Sequence, residues 1–237
     1  KETIGSNFNI NDNKVGNVLV TSASRKVPLL DSLKAARAKV GENFLIYVGD
    51  TDKNCIAQYF ADKFWQMPPL EKLSVDDVID YCRKEDITMI IPTRDGELMF
   101  FAKNRDIFAK NGISVLVSNA HSVKICLDKL LFYRELERLG YPVIKTVKDI
   151  SQLSCKRFVV KDRFGAGSHS IGLNLSFEDA IKHAASLKHP IFQPFVEGKE
   201  HSVDIYISKQ GVVKGVVART RDVVVNGESQ VTTTVKN

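Results

Sequence analysis

The chain has 237 residues, 43% of them hydrophobic and 26% charged, with a formal net charge of +6; that length suits one large domain or, as expected here, two compact ones. The basic residues are scattered among acids, which argues against a nucleic-acid partner and leaves a solvated surface or a pocket for anionic phosphates. Cys55, Cys82, Cys126 and Cys155 form no Cys-x-x-Cys pair, which excludes a zinc or disulfide framework and fits a reducing cytoplasm, and no apolar run approaches the roughly 20 residues of a membrane helix.

The opening "KETIGSNFNINDNKVG" has no apolar signal core and reads as a flexible leader over residues 1–16. A chain that opens on Lys rather than Met reads as one that has lost its true start. From Asn17 a regular rhythm sets in. Apolar, β-branched runs at Val18–Val20, Phe44–Val48, Met89–Ile91 and Ile113–Val117 alternate with amphipathic stretches such as Val27–Val40 and Val75–Arg83, the βαβ pattern of a parallel sheet covered on both faces. Ligands of such sheets gather at the carboxyl ends of the strands. The loops to read are therefore "TSASRK", "GDTDKN" and "PTRDGEL". Ser22, Ser24 and Arg25 with Thr93, Arg94, Asp95 and Glu97 form a polar rim there, the candidate substrate-binding group. Asp50 is the one feature a dinucleotide site could use, and the glycine fingerprint it would need is missing.

After Ser118 the rhythm changes, which puts a boundary near 118–120. His121–Gly140 predicts a helix, with Pro142 beyond its stop; short strands follow near Val143–Thr146 and Arg157–Lys161. A helix over Phe177–Leu187 comes next. Strand-like alternation then runs from Ile191 to Val225, with a hairpin turn at Ser208–Gly211.

Between the strand at Lys161 and the next helix stands "KDRFGAGSHSIGL". The lysine precedes the glycines, so this is neither a P-loop nor a dinucleotide fingerprint. It offers an ammonium at Lys161 and approachable backbone N–H groups at Gly165, Ala166, Gly167 and Ser168, the parts of a loop that folds over a triphosphate. The same glycines also suit a plain surface hairpin. In "IFQPFVEGKEHSVDIYI" an extended backbone at Phe195 and Val196, aided by Gln193, can meet the edge of a purine, and Glu200 can accept from ribose hydroxyls or be a solvated strand carboxylate. His169 can join the loop; the other histidines lack ligand spacing.

In order, "NVLVTSASRKVPLLDSLKAA", "IIPTRDGELMFFA", "CLDKLLFYRELERLGYPV", "RFVVKDRFGAGSHSIGL" and "FQPFVEGKEHSVDIYI" resemble the ATP-grasp superfamily, most closely its carbamoyl-phosphate synthase large-subunit-like branch. The resemblance covers Asn17 to about Val225. It implies an α/β chain: an N-terminal parallel-sheet, Rossmann-like pre-ATP-grasp domain over 17–118, then an incomplete α+β ATP-grasp domain over 119–237. Within the latter, 119–190 would be the small lid subdomain and 191–237 the start of the larger one. It further implies that Lys129 and Lys161 contact ATP phosphates, that Gly165–Ser170 is the glycine-rich lid, that Gln193, Phe195 and Val196 form the adenine hinge, and that Glu200 binds ribose. Lys129 also reads as a solvated lysine near a helix start.

The implied chemistry is ATP- and Mg2+-dependent carboxylate activation through an acylphosphate, captured by an amine or a thiol, in a cytoplasmic carbon–nitrogen ligase of small molecules that can form a homodimer. Arg219 and Arg221 are the candidate catalytic groups for the acylphosphate oxygens, unless they lie on a solvent face. The family's magnesium ligands, an acid and a later Glu-x-Asn segment, are expected beyond Asp222, and the sequence to Asn237 lacks them; neither Asp204 nor Glu228 is cast in that role, so no metal ligand is assigned. The alternative is a non-catalytic nucleotide-binding or regulatory module.

Overall fold

The computed structural model describes residues 16–165, 167, 170–208, 210–225 and 228–235. Two compact units divide at Lys124/Ile125.

The first unit holds β1 (Asn17–Thr21), α1 (Val27–Val40), β2 (Ile46–Asp50), β3 (Lys63–Gln66), α2 (Val75–Lys84), β4 (Ile87–Pro92), α3 (Asp95–Lys110) and β5 (Ser114–Val115). Its sheet is parallel throughout, in the order β3-β2-β1-β4-β5. The alternation along β1 explains why both faces are covered. Val18 and Val20 pack with Leu30, Ile46 and Val48 on one side, while Leu19 packs with Val78, Ile90 and Phe101 on the other. Helix α2 starts at a capping box in which Ser74 and Asp77 satisfy each other's backbone N–H. Helix α1 stops at Gly41, whose φ of 71° supplies the left-handed turn. The strand order reverses between β1 and β4, so the loops after Thr21 and Pro92 flank the crevice where such sheets take ligands. Strand β3 lacks the apolar continuity of its neighbours, with Lys63 and Gln66 exposed at the sheet's edge, and the sequence rhythm did not reveal it.

The second unit holds α5 (Lys129–Arg138), β6 (Phe158–Asp162), β7 (Gly172–Leu175), α6 (Phe177–Ala184), β8 (Pro190–Pro194), β9 (Ser202–Ile207), β10 (Val213–Val225) and β11 (Glu228–Val235); α4 (Ala120–Leu127) runs across the division. The expected single helix over His121–Gly140 is thus two. Asp128 breaks it, because its carboxylate accepts from the N–H groups of Leu130 and Leu131 at 3.1 Å and caps α5 afresh. The expected strand at Val143–Thr146 is extended chain whose ladder reduces to a bridge at Val147, bonded both ways to Phe192 at 2.9 and 3.0 Å.

Strand β6 lies at the centre of an antiparallel sheet, β7-β6-β8. Phe158 and Val160 face a core with Val147, Ile150, Ala180 and Phe192. The other face carries Ile191, fully buried against Leu130 and Tyr133 of α5. A second antiparallel sheet, β9-β10-β11, keeps large apolar side chains such as Ile205 and Val216 exposed. The turn joining β9 to β10 is closed by Gly211, whose N–H donates to the Ser208 carbonyl; Lys209 within it lies outside the described residues. So do the leader before Gly16, the lid residues Ala166, Ser168 and His169, and the side chain of Glu228.

Candidate functional site

Strand alternation that sends Val160 into the core turns Lys161 to the face of the sheet crossed by α5. On that face lies a cavity of about 550 Å³, within the range of small-molecule sites. Lys161 and Gln193 line it from the sheet, Lys129 and Tyr133 from α5, and Val143 and Thr146 from the extended segment. Phe132, Tyr133 and Leu136, which also line it, follow Lys129 at helical spacing. The quoted "CLDKLLFYRELE" therefore already carried the wall, although only Lys129 stood out in it.

The cavity is electropositive at one end. Burial, and then the positive charge of Lys129, pull the Lys161 ammonium below its ordinary pKa of 10.5. Among the described residues no carboxylate pairs with Lys161. Lys129 is held by the loop: its Nζ donates to the Gly165 carbonyl at 2.7 Å and lies 3.4 Å from that of Arg163. Beside it, Arg163 makes a two-pronged ion pair with Asp128, at 2.7 Å to Oδ1 and 2.5 Å to Oδ2. The guanidinium hydrogen bond holds the Asp128 carboxyl below the usual carboxylate range. This pair ties the first turn of α5 to the chain after β6 across 35 positions of sequence, and nothing in the local pattern signals it.

Gln193 enters the cavity from β8 with its amide nitrogen on the Thr146 hydroxyl at 2.7 Å. The other expected hinge positions fall outside the cavity wall. The Phe195 N–H donates to the Arg157 carbonyl at 2.9 Å, continuing the β8 pairing, so of that residue's backbone groups this donor is already engaged, contrary to the expectation that it faces a base edge. Val196 is exposed. Glu200 is exposed and lies 3.6 Å from Arg221. Arg219 forms two hydrogen bonds to Asp204, at 2.5 and 3.3 Å, and one to Thr232 at 3.3 Å. Both candidate catalytic arginines thus sit in ion pairs on β10. Of the lid, Gly165 and Gly167 have φ of 95° and 77°, conformations that favour glycine.

In the first unit the rim divides in two. Ser24, Arg25 and Asp95 are exposed, and Thr93 is half-buried with its hydroxyl donating to the carbonyls of Thr21 and Ser22. Glu97, expected on the rim, is 1% exposed. Its oxygens accept from the hydroxyls of Thr21 and Ser22 at 2.8 and 2.7 Å and from the N–H groups of Thr93 and Arg94 at 2.9 and 3.3 Å. It holds the two loops together instead of facing a ligand. Asp50 does similar work, accepting from the N–H groups of Ser24 and Asp52, while Ser22 and Ser24 take left-handed φ of 49° and 46°. Among the described residues no three His, Cys, Asp or Glu side chains gather as a metal site, and no helix is long and apolar enough to cross a membrane.

Residues 126–232 match the ATP-grasp domain family, and residues 18–116 match the PylC-like N-terminal domain. No curated protein matches the sequence. Solved structures with a similar fold include N5-carboxyaminoimidazole ribonucleotide synthetase from Thermotoga maritima, at 17% identity and a TM-score of 0.60 over 86% of this chain and 53% of that one. Another is an L-amino acid ligase from Bacillus licheniformis, at 14% identity and a TM-score of 0.65 over 89% and 51%. A third is the biotin carboxylase domain of 2-oxoglutarate carboxylase from Hydrogenobacter thermophilus, in complex with MgADP, ADP and bicarbonate, at 15% identity and a TM-score of 0.62 over 90% and 52%. The chain spans about half the length of each.

Proposed function

We propose, from the premise that this chain belongs to the ATP-grasp superfamily, that it binds ATP in the cavity beside β6 and serves an ATP-dependent ligase that joins a carboxylate to an amine or thiol. The observation that carries this reading is Lys161. It is a partly buried ammonium with no carboxylate partner among the described residues, facing a cavity that also holds Lys129. Burying a cation without compensation is unfavourable, and an anionic phosphate chain supplies what is missing. Gln193 then addresses the base. Val196, the Phe195 carbonyl and Glu200 form the approach for adenine and ribose, and the loop that carries Gly165 and Gly167 is proposed for the phosphates.

In the proposed reaction a substrate carboxylate oxygen attacks the γ-phosphorus and ADP departs. The nucleophile then attacks the acyl carbon of the acylphosphate and phosphate leaves. Lys161 and Lys129 neutralise charge on the phosphate oxygens during the first step. In the first unit Ser24, Arg25, Thr93 and Asp95 are the proposed substrate-binding residues, with Glu97 bracing their loops. Arg219 and Arg221 would have to leave Asp204 and Glu200 to reach an acylphosphate. That pairing favours, for those two residues, the reading of a module that binds nucleotide without performing catalysis. Magnesium accompanies ADP in one neighbour and is the expected companion of ATP here, but the described residues gather no ligand set for it, so no step is routed through it. Kinship with the carbamoyl-phosphate synthase branch, a cytoplasmic setting and a homodimer complete the proposal.

Isothermal titration with ATP tests it. Saturable binding is expected, weakened by about 1.5–3 kcal/mol in Lys161→Ala through loss of a charged hydrogen bond. Identical isotherms for the two proteins would remove Lys161 from the site. A coupled ADP-release assay with pooled carboxylates and amines separates ligase from binding module.

A further inference from the structure

Resting on the reading that this cavity seats a nucleotide, we infer that Thr146 fixes the amide of Gln193 so that the cavity selects a purine bearing an amine at C6 over one bearing an oxygen there. Hydrogen-bond polarity sets the orientation of the amide. Thr146 is 2% exposed, and its Oγ1 lies 3.0 Å from the carbonyl oxygen of Ile144. A carbonyl can only accept, so the hydroxyl proton belongs to that bond. What remains on Oγ1 is lone pairs, and the group 2.7 Å away on Gln193 must therefore be the donor, Nε2. Turning the amide over would set Oε1 against Oγ1 with no proton between them, an arrangement that costs a buried hydrogen bond.

The backbone holds both ends of this relay in place. Val147 and Phe192, the sequence neighbours of Thr146 and Gln193, exchange two hydrogen bonds at 2.9 and 3.0 Å, and Gln193 stands opposite Val159 in the β6–β8 ladder. Because both Thr146 and Gln193 line the cavity, the relay ends there. With Nε2 held by Thr146, the amide keeps one acceptor, Oε1, for a ligand, together with the second N–H of Nε2. A 6-amino purine brings an N–H to that acceptor, and a glutamine amide suits adenine in this way. A 6-oxo purine seated the same way, with position 6 rather than N1–H against Oε1, sets lone pair against lone pair, and a freely rotating amide would accommodate it by turning over. Thr146 removes that freedom, so it acts as a positioning residue for base choice.

The test compares ATP with inosine triphosphate, which keeps the ribose and triphosphate and changes only the base, in equilibrium titrations of the full chain. The wild type is expected to prefer ATP by at least about tenfold, the lower end of what one well-made base contact discriminates. Thr146→Val removes the hydroxyl at nearly constant volume, and the preference is expected to fall to within about threefold as the amide becomes free to turn. Thr146→Ser restores the relay and the preference, which a merely structural role for the side chain would not predict. Should Thr146→Val not fold, Gln193→Leu is expected to lose the preference as well. Equal binding of the two nucleotides by the wild type, or an undiminished preference in Thr146→Val, overturns the inference while leaving the nucleotide site standing. Binding of neither nucleotide by the wild type overturns that site and this inference together.

Discussion

Two ionisable groups, one fully and one partly buried and one in each unit, have opposite relations to their surroundings. Glu97 in the first unit is 1% exposed and receives four hydrogen bonds, two from hydroxyls and two from backbone N–H groups. Lys161 in the second faces a cavity, and its described surroundings offer burial and a second cation. The first is a charge the fold has completed, and the second is a charge the fold has left open. Polar residues at the ends of strands look alike in a sequence; their partners separate the ones that build a site from the ones that wait for a ligand.

The largest effect should come from the completed group. Glu97→Ala leaves the Thr21 and Ser22 hydroxyls and two N–H groups without their acceptor and is expected to cost roughly 3–5 kcal/mol in urea unfolding followed by circular dichroism. Nucleotide affinity, which the proposed site assigns to the second unit, should not follow it among molecules that remain folded. A Glu97→Ala protein of normal stability that had lost turnover would return Glu97 to the substrate rim and break the contrast.

Lys161 should respond in the reverse sense. Replacing it by Met removes the proposed phosphate contact, with the loss of about 1.5–3 kcal/mol in ATP binding given above for a charged hydrogen bond, and yet should raise stability at neutral pH. The sign follows from its lowered pKa. Between the folded value and 10.5 the unfolded chain binds more protons, so wild-type stability rises with pH through that window. The advantage of Lys161→Met should therefore be present at pH 7 and shrink as pH climbs toward 10.5. A destabilised Lys161→Met, with no such pH trend, would mean that Lys161 is completed by the fold just as Glu97 is.

How much of this was legible follows from the same distinction. Local periodicity revealed the parallel sheet, because strands covered on both faces must be apolar throughout, as Val18–Val20 and Ile46–Val48 are. The order of motifs pointed to the ATP-grasp domain that residues 126–232 match and singled out Lys161, Lys129 and Gln193, which the structure brings to one cavity. What stayed hidden depended on partners distant in sequence. Glu97 looked like a rim acid because Thr21 and Ser22 lie more than 70 positions away. Phe195 looked free because its acceptor, Arg157, belongs to another segment. Thr146 looked like the end of a strand, although its importance lies in Gln193, 47 positions on. The break at Asp128 could have been suspected from its capping chemistry, but the apolar spacing on either side argued for one continuous helix.

Asp128 and Arg163 fall between the two extremes, and the smallest predicted effect tests whether the contrast is graded. Their ion pair is partly buried, with side-chain exposures of 12% and 25%, and it joins the start of α5, which bears Lys129, to the end of β6, which bears Lys161. Asp128→Asn keeps an oxygen to cap α5 and removes the charge, so it isolates the pair from the cap. A loss of about 1 kcal/mol at pH 7 is expected, between the values of exposed and buried pairs. The Asp128 carboxyl titrates below its ordinary 3.8 because Arg163 holds its charged form. Its contribution is therefore complete above that value and disappears as pH falls through the lower folded one, so the wild type and Asp128→Asn should converge in acid. If this pair also sets the spacing of the two lysines, ATP binding should weaken together with stability. A variant that loses stability with unchanged ATP affinity would assign the pair wholly to the fold, alongside Glu97. One that loses affinity alone would place it with Lys161.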